Sequence, residues 1–204
     1  MIVIGLTGSI GMGKSVTAEM FGAFGCPVYA ADDAVHALYR DPAVAAEIER
    51  AFPGSTVDGA VDRDALGRLV LGDDAAIRRL EQLVHPKLRA QEAAFLDSAR
   101  KVGARAAVLD IPLLLETGGG TRCDVVVVVS APAEVQRARV LARPGMTEEK
   151  FAAILARQMP DAEKRRRADV VIDTSQGIEP ARNAVGEVLR RYAGWSGHAS
   201  PASG

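Results

Sequence analysis

A phosphate-binding loop follows the first apolar run of the chain, and no other feature constrains the fold as strongly. Residues 8–15 read Gly-Ser-Ile-Gly-Met-Gly-Lys-Ser, a complete G-x-x-x-x-G-K-S pattern, and residues 2–6 are apolar as in a buried strand. Glycine lets backbone N–H groups approach a polyphosphate, and the following helix presents its positive end. The pattern therefore predicts a nucleoside triphosphate site, with Lys14 at the β and γ phosphates and Ser15 as a Mg²⁺ ligand.

Composition limits the class of protein. A chain of 204 residues with 48% hydrophobic and 25% charged residues is typical of a folded globular domain, which excludes a chain disordered throughout. The formal net charge of −1 gives no long-range attraction for nucleic acid or for an acidic membrane. We therefore expect neither as a partner.

The cysteines and the first residues of the chain predict the cellular compartment of the protein. Cys26 and Cys123 fit no metal or redox spacing, which favours two free thiols in a reducing environment and leaves a single disulfide open. Strand-like sequence begins at residue 2 without a secretion signal, and no apolar run reaches bilayer length. We expect a cytoplasmic protein, either a monomer or a small homo-oligomer.

Apolar runs alternate with helical stretches along the chain. The predicted strands after the first are residues 27–30, 106–111, 124–129 and 169–172. The predicted helices around them are residues 16–24, 135–143 and 178–192. Five consecutive valines in the fourth strand suit burial on both faces of a parallel sheet. These elements predict an α/β protein with the P-loop NTPase fold, a three-layer α/β/α domain with a central five-stranded parallel sheet.

Two helical segments interrupt this pattern. Residues 32–104 contain no convincing strand, and their helical spacing breaks at Gly72 and at His85-Pro86. Such an insertion beyond the strand ends can bind an acceptor substrate. The second segment, residues 146–167, is rich in arginine, and we expect its basic run 164–167 on the surface. The remaining core comprises residues 1–31, 105–145 and 168–192, followed by a predicted disordered tail at 193–204.

Phosphoryl transfer needs a carboxylate near the acceptor hydroxyl and cations around the phosphoryl group. Asp32 follows the second predicted strand and could orient or deprotonate a hydroxyl, but it could equally cap the next helix. Arg139 and Arg143 are four residues apart on one predicted helical face, so both could reach a polyphosphate. Equally, both arginines could lie on a solvent-exposed helical face and form surface ion pairs.

The positions of Asp110 and His85 in the sequence also point to possible roles. Asp110 ends a predicted strand, from which an acidic residue can support Mg²⁺ beside a phosphate loop. From its position alone, His85 is interpreted as a buried hinge beside Pro86 rather than a ligand contact. A switch GTPase is disfavoured because Asn183 is the sole asparagine and lies outside any Asn-Lys-x-Asp element.

Several motifs together resemble the dephospho-coenzyme A kinase family, from residue 4 to about residue 173. Many families share the phosphate loop, but a His-Pro pair, a Pro-Leu-Leu-x-Glu element and a Gln-Met-Pro segment in this order are specific. The matching positions are residues 6–15, 31–32, 83–86, 110–116, Gln136, Arg139, 158–160 and 168–173.

The resemblance implies transfer of the ATP γ-phosphoryl group to the ribose 3′-hydroxyl of dephospho-coenzyme A, the last step of coenzyme A synthesis. Asp32 would face that hydroxyl, Arg139 would stabilise the transferring phosphoryl group, and residues 146–167 would close as a lid. The acceptor would be held by the helical insertion through His85, Pro86 and Arg89. ATP would be bound by Gly8, Gly11, Met12, Gly13, Lys14, Ser15, Val16 and Arg143.

Two positions depart from the family pattern. Val16 replaces the threonine usual after Gly-Lys-Ser, which predicts weaker ATP binding. Ala30 replaces the first aspartate of the usual Asp-Ala-Asp, so Asp32 is the remaining family carboxylate unless Asp33 substitutes.

Two other functions stay open at this point. One is a kinase for another small acceptor, such as a nucleoside monophosphate, against which the His-Pro and Pro-Leu-Leu-x-Glu elements argue. The other is a nucleotide-binding regulatory protein without transfer activity, which only the two departures favour.

Overall fold

A computed structural model of the chain describes residues 1–196, which form two compact units. The first unit comprises Met1–Tyr29 and the chain from Ala99 onward, and the second comprises Ala30–Ser98. The predicted insertion, residues 32–104, overlaps the second unit.

A five-stranded sheet forms the centre of the first unit. Its strands are β1 (Ile2–Thr7), β2 (Val28–Ala30), β5 (Ala106–Asp110), β6 (Val125–Ser130) and β7 (Val170–Asp173). They lie in the order β2-β5-β1-β6-β7. β1 runs parallel to β5 and β6, with Ile4 in register with Val108 and Val125, and β6 runs parallel to β7. Parallel neighbours need long crossover connections, which the helices between the strands provide.

Five helices lie wholly within the described part of the first unit. They are α1 (Lys14–Ala23), α6 (Ala133–Leu141), α7 (Glu148–Leu155), α8 (Asp161–Arg167) and α9 (Ile178–Ala193). Phe21 of α1 and Leu189 of α9 are fully buried in one cluster with Val127 of β6. Val128, on the opposite face of β6, is buried in another cluster with Leu114. β6 is therefore buried on both sides, as its run of valines predicts.

The second unit is helical and has its own hydrophobic core. Its helices are α2 (Ala31–Arg40), α3 (Pro42–Ala51), α4 (Arg63–Val70) and most of α5 (Asp74–Lys101). The side chains of Asp41 and Asp62 accept hydrogen bonds from backbone N–H groups in the first turns of α3 and α4. Leu38, Ile48 and Leu66 are buried together in its core.

The predicted fold class and sheet are confirmed. Each of the five predicted strands is present, with bounds within one residue of those predicted. The expectation of no strand in residues 32–104 is wrong, because β3 (Thr56–Val57) and β4 (Ala60–Val61) form a short antiparallel hairpin. Asp58 and Gly59 turn it, both with positive φ (52° and 79°), as a type I′ turn requires.

The predicted break at His85-Pro86 is also wrong. α5 continues through Pro86 over 28 residues, although proline lacks the N–H that would donate to the carbonyl of Gln82. Val84 is buried in the core of the second unit, so packing holds this stretch helical. His85 is consequently an exposed residue of a continuous helix, not a buried hinge.

Both cysteines are free thiols, which decides between the two alternatives left by the sequence. Burial raises the pKa of the Cys26 thiol to about 11, so this thiol is neutral at physiological pH. No helix within residues 1–196 combines the length and apolar character needed to cross a bilayer.

The start of the predicted tail is ordered. Ala193 ends α9, and Trp195 packs against the core cluster that contains Phe21. Arg105 donates to the carbonyl oxygen of Gly194 at 2.6 Å. Residues 197–204 lie outside the described residues, and their disorder stays a prediction.

Candidate active site

The phosphate loop connects β1 to α1, and its backbone requires glycine. Gly13, the N-cap of α1, has φ 84° and ψ 17°, a left-handed conformation that glycine adopts without strain. A Cβ atom on Gly8 would lie 2.9 Å from the carbonyl oxygen of Val129, so no larger residue fits there. Gly13 has no side chain to bond the N–H groups of the first turn of α1. Those N–H groups are therefore available to an anion.

Side chains from three other segments hold the loop in shape. Ile10 donates its N–H to Oε1 of Gln158 at 3.1 Å, and its carbonyl oxygen accepts from Nε2 of Gln136 at 2.7 Å. The carbonyl oxygen of Met12 accepts from Oγ1 of Thr174 at 2.9 Å. Gln136 and Gln158, which the sequence marked only as positions matching the family motifs, thus contact the loop directly.

Lys14 and Asp110 meet at the edge of the sheet. Nζ of Lys14 lies 2.5 Å from Oδ1 of Asp110, and the two side chains are 15% and 8% exposed. β1 and β5 are parallel neighbours, so their carboxyl ends share one edge, and Asp110 ends β5 beside the loop that follows β1. The expected place of Asp110 beside the phosphate loop is confirmed.

Oxygen donors suited to Mg²⁺ flank this loop. Ser15 lies exposed in the first turn of α1, and the Asp110 carboxylate lies against Lys14. Mg²⁺ prefers hard oxygen ligands and commonly takes one or two from the protein beside substrate phosphates and water. The donor set therefore fits Mg²⁺.

A cavity of about 330 Å³ opens beside the loop within the first unit. The loop and α1 line it with Gly11, Gly13 and Val16, and Arg139 and Arg143 line it as well. Apolar side chains, among them Met20 and Ile178, complete its wall. Arg143 lies beyond the end of α6 at Leu141, so the two arginines do not share a helical face as predicted, yet both line one cavity.

The guanidinium of Arg139 is fixed by hydrogen bonds. It donates to Oγ1 and to the carbonyl oxygen of Thr174 at 2.9 and 2.7 Å, and to the carbonyl oxygen of Gly11 at 3.5 Å. Arg139 is thus half-buried between the phosphate loop and the end of β7. The alternative prediction, a solvated helical face with surface ion pairs, is therefore wrong for Arg139.

Thr174 was missed in the sequence. It is buried, and it bonds both Met12 of the loop and Arg139. The signal that could have identified it is its place directly after a predicted strand, because the carboxyl ends of parallel strands form the ligand edge of such sheets.

A buried ion pair joins Lys164 to Glu116 at 2.9 Å. The side chain of Lys164 is 0% exposed, so the expectation of a surface position is wrong for Lys164, although the three arginines after it are exposed. Burial tends to raise the pKa of the Glu116 carboxyl, but hydrogen bonds from Lys164 and from the N–H of Met159 outweigh it and hold the pKa below its ordinary value. Glu116 is therefore ionised at neutral pH.

The second unit brings together the residues expected to bind the acceptor. His85, Pro86 and Arg89 line an open cavity of about 540 Å³ on α5, together with Arg78, Glu81 and Gln82. The lining of this cavity therefore offers two guanidinium groups and an imidazole beside the carboxylate of Glu81.

Asp32 lies in the first turn of α2 and is exposed. The N-cap of α2 is Ala30, so the alternative of Asp32 as the capping residue is wrong. Asp33, beside it, is exposed in the same turn. Asp32 is not among the residues that line the α5 cavity.

The family model for dephospho-CoA kinase matches residues 2–179. A dephospho-CoA kinase of Mesorhizobium japonicum is 61% identical over 197 residues, covering 97% of this chain and 100% of the relative. A dephospho-CoA kinase of Rhodopseudomonas palustris strain HaA2 is 61% identical over 189 residues, covering 93% of this chain and 94% of the relative.

Solved structures are also similar to this chain. A crystal structure of a Thermus thermophilus protein is similar with a TM-score of 0.81 at 37% identity, covering 93% of this chain and 97% of that one. A dephospho-CoA kinase from Campylobacter jejuni is similar with a TM-score of 0.63 at 25% identity, covering 95% and 98%.

Proposed function

The chain belongs to the dephospho-CoA kinase family, and we propose from that premise which of its residues carry out the transfer. It is an ATP-dependent kinase that transfers a phosphoryl group to dephospho-CoA. The main support for these roles is that the phosphate loop, the Lys14–Asp110 ion pair and the cavity lined by Arg139 all lie in the first unit.

The ATP end of the site is built from the first unit. Gly8, Gly11, Met12 and Gly13 form the loop whose backbone N–H groups hold the phosphates, and Lys14 supplies a positive charge at the β and γ phosphates. The cavity beside the loop takes the adenosine part of ATP, with apolar walls against the base and Arg143 toward the phosphates. Arg139, already oriented by Thr174, stabilises the transferring phosphoryl group.

Mg²⁺ is proposed as the metal of the ATP complex, held by Ser15 with Asp110 in support. When bound, it neutralises charge on the phosphate oxygens. Asp110 also orients the amine of Lys14, from which it accepts a hydrogen bond.

At the acceptor end, Asp32 accepts the proton of the ribose 3′-hydroxyl. The hydroxyl oxygen forms a bond to the γ phosphorus while the bond from that phosphorus to the β–γ bridging oxygen breaks, and ADP leaves. The α5 cavity, with His85, Pro86 and Arg89, binds dephospho-CoA, whose diphosphate suits its guanidinium groups. Residues 146–167 close over the site and exclude water.

The position of the new phosphate tests the acceptor hydroxyl. Phosphorus NMR of the purified product should show phosphate on the ribose 3′ oxygen, because Asp32 is assigned to that hydroxyl. A product phosphorylated on the 2′ oxygen would contradict this assignment.

We place this reaction in the cytoplasm, where ATP and a reducing environment suit two free thiols. Nucleic acid and membranes are not proposed as partners, and the active form is a monomer or a small homo-oligomer.

Replacing Arg89 by glutamine should weaken acceptor binding. Loss of one charged hydrogen-bond donor should raise the KM for dephospho-CoA by about tenfold and leave the KM for ATP unchanged. Steady-state kinetics with each substrate varied in turn measures both constants. Lys87→Gln is the matched control, because Lys87 lies on the same helix but pairs with Glu47 at 2.8 Å. An unchanged KM for dephospho-CoA in Arg89→Gln, or an equal rise in the control, would remove Arg89 from the acceptor site.

Val16→Thr should tighten ATP binding. Val16 is 42% exposed and lines the cavity, and the hydroxyl of Thr17 cannot serve in its place because it donates to the carbonyl oxygen of Gly13 at 3.0 Å. One added hydrogen bond should lower the Kd for Mg·ATP by about threefold to tenfold in calorimetry. Val16→Ala, which adds no hydroxyl, should not tighten binding. Unchanged affinity in Val16→Thr would show that the hydroxyl does not reach the phosphates.

A further inference from the structure

Lys164 is the most completely buried charged side chain described in the first unit, and its amine has no role of its own in the proposed transfer. Its amine donates to Oε1 of Glu116 at 2.9 Å and faces the carbonyl oxygen of Pro112 at 3.5 Å. Burying an ion pair costs desolvation free energy that the attraction often only offsets, so such a pair is weak evidence of a role in stability alone. The other carboxylate oxygen of Glu116, Oε2, is buried without a hydrogen-bond partner within residues 1–196, which adds to that cost.

The same carboxylate is linked to the phosphate loop through two adjacent residues. Oε1 of Glu116 accepts the N–H of Met159 at 2.9 Å. The residue before Met159 is Gln158, whose Oε1 accepts the N–H of Ile10 at 3.1 Å. Ile10 lies in the middle of the phosphate loop, and its carbonyl oxygen is bonded by Gln136 from α6. A path of direct contacts therefore runs from Lys164 to the backbone of the loop.

A second contact joins the pair to β1. The carbonyl oxygen of Pro112, which Lys164 faces, accepts the hydroxyl of Thr7 at 2.9 Å. Thr7 is the last residue of β1, directly before the loop. Through the carbonyl oxygen of Pro112, Lys164 is therefore linked to the residue that directly precedes the loop.

We propose that Glu116 is a positioning residue for ATP binding, which holds the Gln158–Met159 backbone so that Gln158 fixes the N–H of Ile10, while Lys164 compensates the buried negative charge of Glu116. Glu116 touches neither substrate in this role and acts on the loop through Gln158. This inference rests on the proposed binding of ATP at the loop. It adds a determinant of the loop conformation outside the G-x-x-x-x-G-K-S pattern.

Two double variants separate positioning from stability. In Glu116→Leu with Lys164→Met, both charges are removed together, so no buried charge is left unpaired, but the N–H of Met159 loses its acceptor. In Glu116→Gln with Lys164→Met, the same charges are removed and an acceptor oxygen is kept. Gln158→Ala breaks the contact with Ile10 directly.

The readout is the Kd of Mg·ATP measured by calorimetry without acceptor, together with the melting temperature. We expect the leucine–methionine variant and Gln158→Ala each to raise the Kd about tenfold, and the glutamine–methionine variant to stay within about threefold of wild type. Combining the leucine–methionine variant with Gln158→Ala should again give about tenfold, because both changes break one path. Arg137→Gln, which breaks an exposed ion pair to Glu148 between α6 and α7, should leave the Kd unchanged.

Three results would overturn the proposal. They are an unchanged Kd in the folded leucine–methionine variant, effects that multiply in the combined variant, and an unchanged Kd in Gln158→Ala. The last result decides the question even where the double variants fail to fold. Normal Mg·ATP binding by the wild type without transfer to dephospho-CoA would contradict the proposed function and leave this inference standing, since no acceptor enters the measurement.

Discussion

Asp32→Asn should lower kcat by about a hundredfold to ten-thousandfold, the contribution typical of a positioned general base. The amide keeps the size of the carboxylate but cannot accept the proton of the ribose hydroxyl. The KM values for ATP and dephospho-CoA should change little, because the residue acts on the transfer step and not on either substrate's charged groups. Ala30, where the family pattern has an aspartate, leaves no second family carboxylate to replace it. Acceptor-dependent ADP release under saturating substrates measures the effect.

Asp33→Asn is the matched control. Asp32 and Asp33 are both exposed and both lie in the first turn of α2, so each substitution removes one negative charge from the same helix end. The two variants should therefore have similar melting temperatures, while Asp33→Asn keeps kcat near the wild-type value. Near-normal turnover in Asp32→Asn together with its loss in Asp33→Asn would transfer the role to Asp33.

Lys14→Met should lower kcat/KM for ATP by about a hundredfold to a thousandfold, as removal of one preorganised donor commonly does. Methionine keeps the length of the side chain but removes the charge beside the β and γ phosphates. The substitution also leaves the Asp110 carboxylate, 8% exposed, without the cation 2.5 Å away, so the melting temperature should fall as well.

A double variant separates these two effects. Lys14→Met with Asp110→Asn removes both members of the pair, so we expect the melting temperature to recover toward the wild-type value while activity stays low. Wild-type kcat/KM for ATP in Lys14→Met would exclude Lys14 from phosphate binding. Recovery of activity along with the melting temperature would show that the loss came from misfolding alone.

The central sheet could be predicted from the sequence because its signals are local. Uninterrupted apolar runs such as residues 125–129 indicate strands buried on both faces, and the glycine pattern at 8–13 marks the turn from β1 into α1. Asp110 could be placed beside that loop because it ends a strand of the same parallel sheet.

Other features depend on tertiary packing and carry no comparable signal. Pro86 normally breaks a helix, yet core packing of neighbours such as Val84 keeps α5 continuous. Lys164 belongs to a basic run typical of a surface, and only its partner Glu116, 48 positions earlier in the chain, makes its burial tolerable. The hairpin at Asp58-Gly59 does carry a local turn signal, which the helical spacing around it masked.

Acceptor-dependent ADP release with Mg·ATP tests the central claim most directly. The wild-type protein should release ADP with dephospho-CoA and not with adenosine monophosphate or without an acceptor, because the acceptor site is assigned to dephospho-CoA. Equal or faster ADP release with adenosine monophosphate, or ATP binding without turnover on dephospho-CoA, would contradict the account.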